Sequence, residues 1–158
     1  MITLRPSQKE ELPQFVAFES EDDTNEFIKA YSLVKHKECF DDKKTHYLSI
    51  IEIDRLIGFF LLHIEKNSVE FRRVVITKSA RGFGQEAIQM MHSYCLGVFG
   101  RNKIWLDVFE HNKRGQHVYS KLGYNIIGNK EYEGKNLLIM EKHIQPNTTA
   151  EVTGARED

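Results

Sequence analysis

Cysteine and proline are scarce, with two and three respectively in 158 residues. Cys39 and Cys95 show no paired spacing, which excludes a disulfide framework and fits a reducing, cytoplasmic setting. No C-x-x-C or H-E-x-x-H spacing occurs among the cysteines and the seven histidines, so no metal is expected. An excess of one charge is also missing. The 22 basic and 23 acidic side chains leave a formal charge of −1, which offers nothing to the bulk attraction that holds nucleic acid. No apolar run reaches the length of about 20 residues that spans a bilayer, and Met1 to Arg5 passes directly into folded sequence, so neither leader nor membrane contact is expected. Internal repeats are absent. The length suits one domain with a sizeable core. We place that domain at 1–144 and expect a disordered tail over 145–158, where QPNTTAEVTGARED has no apolar periodicity.

What the sequence does contain is organised around Val69 to Leu96. A β-strand to Ile76 feeds a loop, Arg81-Gly82-Phe83-Gly84, and an amphipathic helix opens at its glycines. Gly84, Ala87, Ile88, Met91, Tyr94, Cys95 and Val98 fall on its buried side. Two glycines let main-chain N–H groups approach a ligand, and a helix N-terminus adds roughly half a positive charge. Such an end is an anion site, most often for phosphate. The segment Gly82 to Ala87 also fits the dinucleotide fingerprint G-x-G-x-x-A, with Asp107 as ribose candidate. Against that reading, Lys78-Ser79-Ala80-Arg81 separate strand from glycines, and residues 45 to 77 read as hairpins.

Before this stretch, Ile2 to Arg5 reads as a strand, and Ser7-Gln8-Lys9-Glu10 as a capping box opening a helix that Pro13 shortens or bends. Glu19 to Asp23 reads as a solvated acidic linker, whose other use would be to attract a cationic substrate. Asp23 then caps a helix with Phe27, Tyr31 and Val34 on one side. Tyr47 to Ile53 and Leu56 to Ile64 form a hairpin through Asp54-Arg55, its second strand covered on both faces. Around Arg72, Arg73 and Val74 the alternation fails, as at a β-bulge.

Ile104 to Phe109 is a strand entered by a parallel crossover. Asn112 caps a helix from Lys113 to Lys121, with Gly115, Val118 and Leu122 inward and Gly123 as its stop. Tyr124 to Gly128 and Leu137 to Met140 are closing strands around a turn at Glu131 to Lys135. Cys95 has no histidine partner that would make it a nucleophile.

Two motifs carry a family resemblance. The loop resembles the Gln/Arg-x-x-Gly-x-Gly/Ala motif of the GNAT superfamily of N-acetyltransferases. With Gly82 and Gly84 as its glycines, Ser79 takes the Gln/Arg position; two residues along, Arg81 fits and Glu86 replaces the last small residue. We favour the first register. Asn112, Gly115, Tyr119 and Leu122-Gly123-Tyr124 match the second GNAT signature step by step, and the two together cover residues 69 to 128.

The resemblance implies an α/β fold with a mixed central sheet of six to seven strands, splayed in the middle and flanked by about four helices. It also implies acetyl-CoA as cosubstrate. The pantetheine arm would pair with the main chain of Val74, Val75 and Ile76. The diphosphate would rest on Arg81, Gly82, Phe83, Gly84, Gln85 and Glu86, and Asn112 would hold the pantetheine as well as cap its helix. Tyr119 is the candidate acid for the departing thiolate, a main-chain N–H near Val74 the oxyanion donor, and Glu70 or Asp107 the candidate base. Either carboxylate could instead pair with Arg72 or Arg73. On this resemblance the acceptor would be a small-molecule or peptide primary amine attacking directly in a ternary complex. A non-catalytic acyl-CoA-binding module and, further off, a nicotinamide-dependent oxidoreductase are the alternatives. An edge strand offers a route to a homodimer.

Overall fold

The computed structural model describes residues 1–21, 28–80 and 82–145. Its strands are β1 (Ile2–Pro6), β2 (Thr45–Glu52), β3 (Arg55–Ile64), β4 (Val69–Ile76), β5 (Lys103–Phe109), β6 (Asn125–Tyr132) and β7 (Lys135–His143). They form one sheet in the order β1-β2-β3-β4-β5-β7-β6, antiparallel except where β4 meets β5. Four α-helices occur among the described residues: α1 (Leu12–Glu19), α2 (Leu33–Asp41), α3 (Gly84–Gly97) and α4 (Lys113–Lys121). This is the mixed, helix-flanked sheet that the two motifs imply. None of the described helices is long and apolar enough to cross a membrane.

Two cores lie on opposite faces of the sheet. α1 packs Leu12, Phe15 and Phe18 against Tyr47, Phe59, Leu61 and Val75. The other face buries Ala87, Ile88, Met91 and Cys95 of α3 against Phe60, Leu62, Val69, Phe71, Ile104, Leu106 and Val108, with Val118 and Tyr119 of α4 at its edge. Ile57 to Leu62 is buried throughout because β3 alternates between the two cores, as its continuous apolar run requires.

Several local expectations shift. The capping box lies one residue later: Gln8 N–H donates to the Glu11 carboxylate at 2.9 Å, while Ser7 spends its hydroxyl on Ser49 at 2.7 Å. A 3-10 turn, Lys9–Glu11, precedes α1, so Pro13 falls in the first helical turn, where its missing N–H costs nothing. The helix expected from Asp23 is not the one observed. Asp23 and Phe27 lie outside the described residues, and α2 begins after Ser32, whose hydroxyl accepts from Lys35 N–H at 3.1 Å. Tyr31 precedes that helix and Val34 is exposed.

The β2–β3 turn is Ile53-Asp54, with Glu52 paired to Arg55. Ile53 takes a left-handed φ of 59° and is exposed. The last hairpin is longer than expected, turning at Glu133-Gly134, both at positive φ, the geometry that suits strand twist. Its β6 is almost wholly exposed and mixes charged with apolar residues, so no alternation announced its length. Val98 is likewise exposed, because α3 has ended at Gly97. Of the expected tail, only Gln145 is described.

Candidate active site

β4 and β5 are paired at only two rungs, Val69 with Ile104 and Glu70 with Trp105. Past them β4 stays with β3 and β5 with β7, so the sheet opens into a cleft. The bend has a local cause. Leu62 faces Phe71 and Leu61 faces Arg73, so Arg72 is an extra residue on β4, the expected bulge. Thr77 N–H donates to Ile57 O at 2.8 Å. By alternation Val75 also turns its main chain to β3, whereas Val74 and Ile76 turn theirs into the cleft.

At the end of β4 a 3-10 turn, Lys78–Ala80, leads to the glycine loop. Gly82 sits at φ +103°, a conformation that favours glycine. The first helical bond is Ala87 N–H to Phe83 O at 2.9 Å, and among the described residues no side chain caps the helix. The N–H groups of Gly84, Gln85 and Glu86 therefore lack helical acceptors and lie at an exposed or half-exposed helix end. Among the described residues, an added Cβ at Gly84 would meet nothing within 4 Å. Packing among the described residues does not demand glycine there. Arg81 lies outside the described residues.

Across the cleft, Asn112 caps α4, its Oδ1 accepting from Gly115 N–H at 2.9 Å. A Cβ at Gly115 would lie 2.7 Å from the Asn112 side-chain nitrogen, so a larger residue there would displace the capping amide. Capping uses the carbonyl of the amide and leaves its NH2 without a hydrogen-bond partner among the described residues. Two turns on from Asn112, Tyr119 stands edge-on to Phe71 at 5.9 Å and to Tyr124 at 5.8 Å. Phe71 immediately precedes the bulge, so the tyrosine stands against the strand where it bends. Burial pushes its phenol up to about 12, and its hydroxyl has no hydrogen-bond partner among the described residues. It stays a neutral proton donor near neutral pH.

The two carboxylates sit on the opposite face, because Val69, Phe71, Ile104, Leu106 and Val108 point to the α3–α4 side. Glu70 occupies the last closed rung and accepts from Arg72 Nε at 2.9 Å. Asp107 lies past that rung, 3.1 Å from Lys130 Nζ. The Tyr119 phenol and the two carboxylates therefore lie on opposite faces of the sheet. Among the described residues no cluster of three or more metal-ligating side chains is present.

Sequence reasoning missed a second polar centre. Glu19, read as part of a solvated linker, is 1% exposed and pairs with Arg73 and His36. Arg73 also donates to Lys29 O at 3.0 Å and lies 3.9 Å from the centre of the Tyr31 ring. Glu21 likewise accepts from Thr77 and from Lys78 N–H. An acidic run carries no signal of which member turns inward. His92, which accompanies Tyr124 at 2.7 Å, was legible: it falls four residues after Ile88 and three before Cys95 on the buried face of α3. A concavity of about 700 Å³ opens elsewhere, among α1, the Ile53-Asp54 turn and Ser79, and is lined by none of Tyr119, Asn112 or β5.

A family model described as an acetyltransferase (GNAT) domain matches residues 1–125. No curated protein matches the chain. Among solved structures, spermidine N-acetyltransferase from Vibrio cholerae in complex with CoA and spermine is 18% identical with a TM-score of 0.76, over 90% of this chain and 95% of that one. A chimera of the Vibrio cholerae enzyme and hSSAT is 21% identical with a TM-score of 0.75, over the same shares. A point mutant of the Vibrio cholerae enzyme is 20% identical with a TM-score of 0.74, over 96% of both chains. These identities speak for the fold alone. A family match that runs from β1 to the first residue of β6 shows that the chain belongs to the GNAT acetyltransferase family.

Proposed function

We propose that this acetyl-CoA-dependent N-acetyltransferase acetylates a primary amine on a small cationic acceptor by direct attack in a ternary complex. The observation that carries the reading is the cleft between β4 and β5, with the open N-terminus of α3 at the end of β4 and the Tyr119 phenol against the bulge. Acetyl-CoA supplies the activated thioester. Gly84, Gln85 and Glu86 offer main-chain N–H groups to its diphosphate, with Arg81, Gly82 and Phe83 completing the loop. Val74 and Ile76 offer strand-like pairing to the pantetheine, Val75 between them holds β4 to β3, and Asn112 donates its side-chain NH2.

The Val74 N–H faces the negative charge that develops on the carbonyl oxygen. Tyr119 gives its proton to the departing sulfur. Asp107, past the last rung, takes the proton of the incoming ammonium; Glu70 is the second candidate for that step. A cationic acceptor suits these two carboxylates, and the spermine-bound Vibrio cholerae structure supports a polyamine-like molecule. Within the acidic run, Glu19 is paired with Arg73 and His36 inside the protein and does not face an acceptor, while Asp22 and Asp23 lie outside the described residues. A nicotinamide reading has no support in this fold.

Thiol release from acetyl-CoA across a panel of amines tests the proposal. Tyr119→Phe is expected to lower kcat by about a hundredfold or more. An unchanged rate removes the phenol from the reaction, and acetyl-CoA binding without thiol release on any amine would favour a non-catalytic binding module.

A further inference from the structure

Where β4 and β5 part, an ammonium group is already held. β5 presents Trp105 and Asp107 on one face, two residues apart. Lys130 of β6 reaches across β7 to both, its Nζ 3.1 Å from Asp107 Oδ2 and 5.9 Å from the centre of the Trp105 ring. The indole is fixed from its other end, its N–H donating to Glu65 at 2.9 Å, and Glu65 in turn accepts from the Ser68 hydroxyl at 2.7 Å. Trp105 also forms the last closed rung with Glu70. A carboxylate beside an aromatic face is the chemistry that recognises an alkylammonium.

Lys130 and Asp107 are 46% and 30% exposed, so water competes for both and the contact is easily exchanged. A lysine here presents the same group as a primary-amine acceptor. We infer that Trp105 and Asp107 form the ammonium subsite for the acceptor, and that Lys130 occupies it in the substrate-free protein and is displaced when a cationic amine enters. The inference rests on the amine-acceptor reading above. Lys130 then acts as an internal competitor, raising the apparent dissociation constant by the inverse of the fraction of molecules in which the subsite is open.

Calorimetric titration of spermidine into the CoA-loaded protein tests this. Lys130→Gln is expected to tighten spermidine binding by about three- to tenfold, and Trp105→Leu to weaken it. Lys130→Arg, which keeps the cation, is expected to bind as the wild type does. Equal affinity in wild type and Lys130→Gln, or no spermidine binding by either, overturns the inference. That result is separate from the transferase reading, which falls if wild type releases no thiol with any amine of the panel.

Discussion

His92 is 5% exposed on α3, beside the Tyr124 hydroxyl. Burial, and then the charge of Lys142, push its pKa down to about 4. The unfolded chain holds a proton on this residue below about 6.5, while the folded chain refuses it until about 4. Between those values the unfolded state binds more protons, so stability falls as the pH falls. Urea denaturation from pH 7.5 to 4.5 should show wild type losing up to about 3 kcal/mol through this residue, and His92→Gln should flatten that part of the profile. An equal decline in both proteins would show that the loss originates elsewhere. Cys95, on the same helix face, is pushed up to about 12 by burial, which accords with a packing role.

β4 has to satisfy β3 on one edge while leaving the other open, and Gly58 sets how closely the two strands approach. An added Cβ there would run into the Val75 carbonyl oxygen and come within 2.9 Å of the Ile76 Cα, neither of which is a flexible side chain. Gly58→Ala should therefore push the end of β4 toward the cleft. Overpacking of this kind costs roughly 1–3 kcal/mol. If β4 forms the wall for the pantetheine, the same variant should bind CoA more weakly. Denaturation curves and CoA titration on one preparation give both readouts. The bulge was legible in Arg72 and Arg73 interrupting the alternation, because a period-2 pattern reports its own breaks. The shifted capping box was not, because Ser7 and Gln8 both have a glutamate three positions on, and only the place of Ser49 on β2 decides between them.

Glu19 joins distant parts of the molecule: it sits at the end of α1, accepts from Tyr31 N–H, and meets His36 of α2 and Arg73 of β4, while His36 contacts Tyr47 of β2. Burial works against its charge most strongly, yet the His36 hydrogen bond and the Arg73 guanidinium together hold the carboxyl below its usual range. Because the folded pKa is depressed, this contribution is complete above the unfolded value of about 4.3 and is lost as the pH falls through the lower folded value. Removing one partner of a buried pair costs about 3–5 kcal/mol. Glu19→Gln should show a deficit of that order at neutral pH, shrinking in acid as the wild type loses its own advantage. A deficit independent of pH would mean that the charge is not what stabilises the junction. The sequence alone determined what depends on neighbours along the chain: the helix opening at Gly84, the Asn112 cap with its Gly115, the phenol one turn further, and the family to which these spacings point. Tertiary structure decided what depends on residues far apart: Glu19 turned inward against Arg73, Lys130 laid across β7 onto Asp107, and the parting of β4 from β5 after Glu70. Spacing along a helix or strand is fixed by backbone geometry within a few residues, whereas the partner of a charged side chain is chosen only when separate elements pack and exclude water.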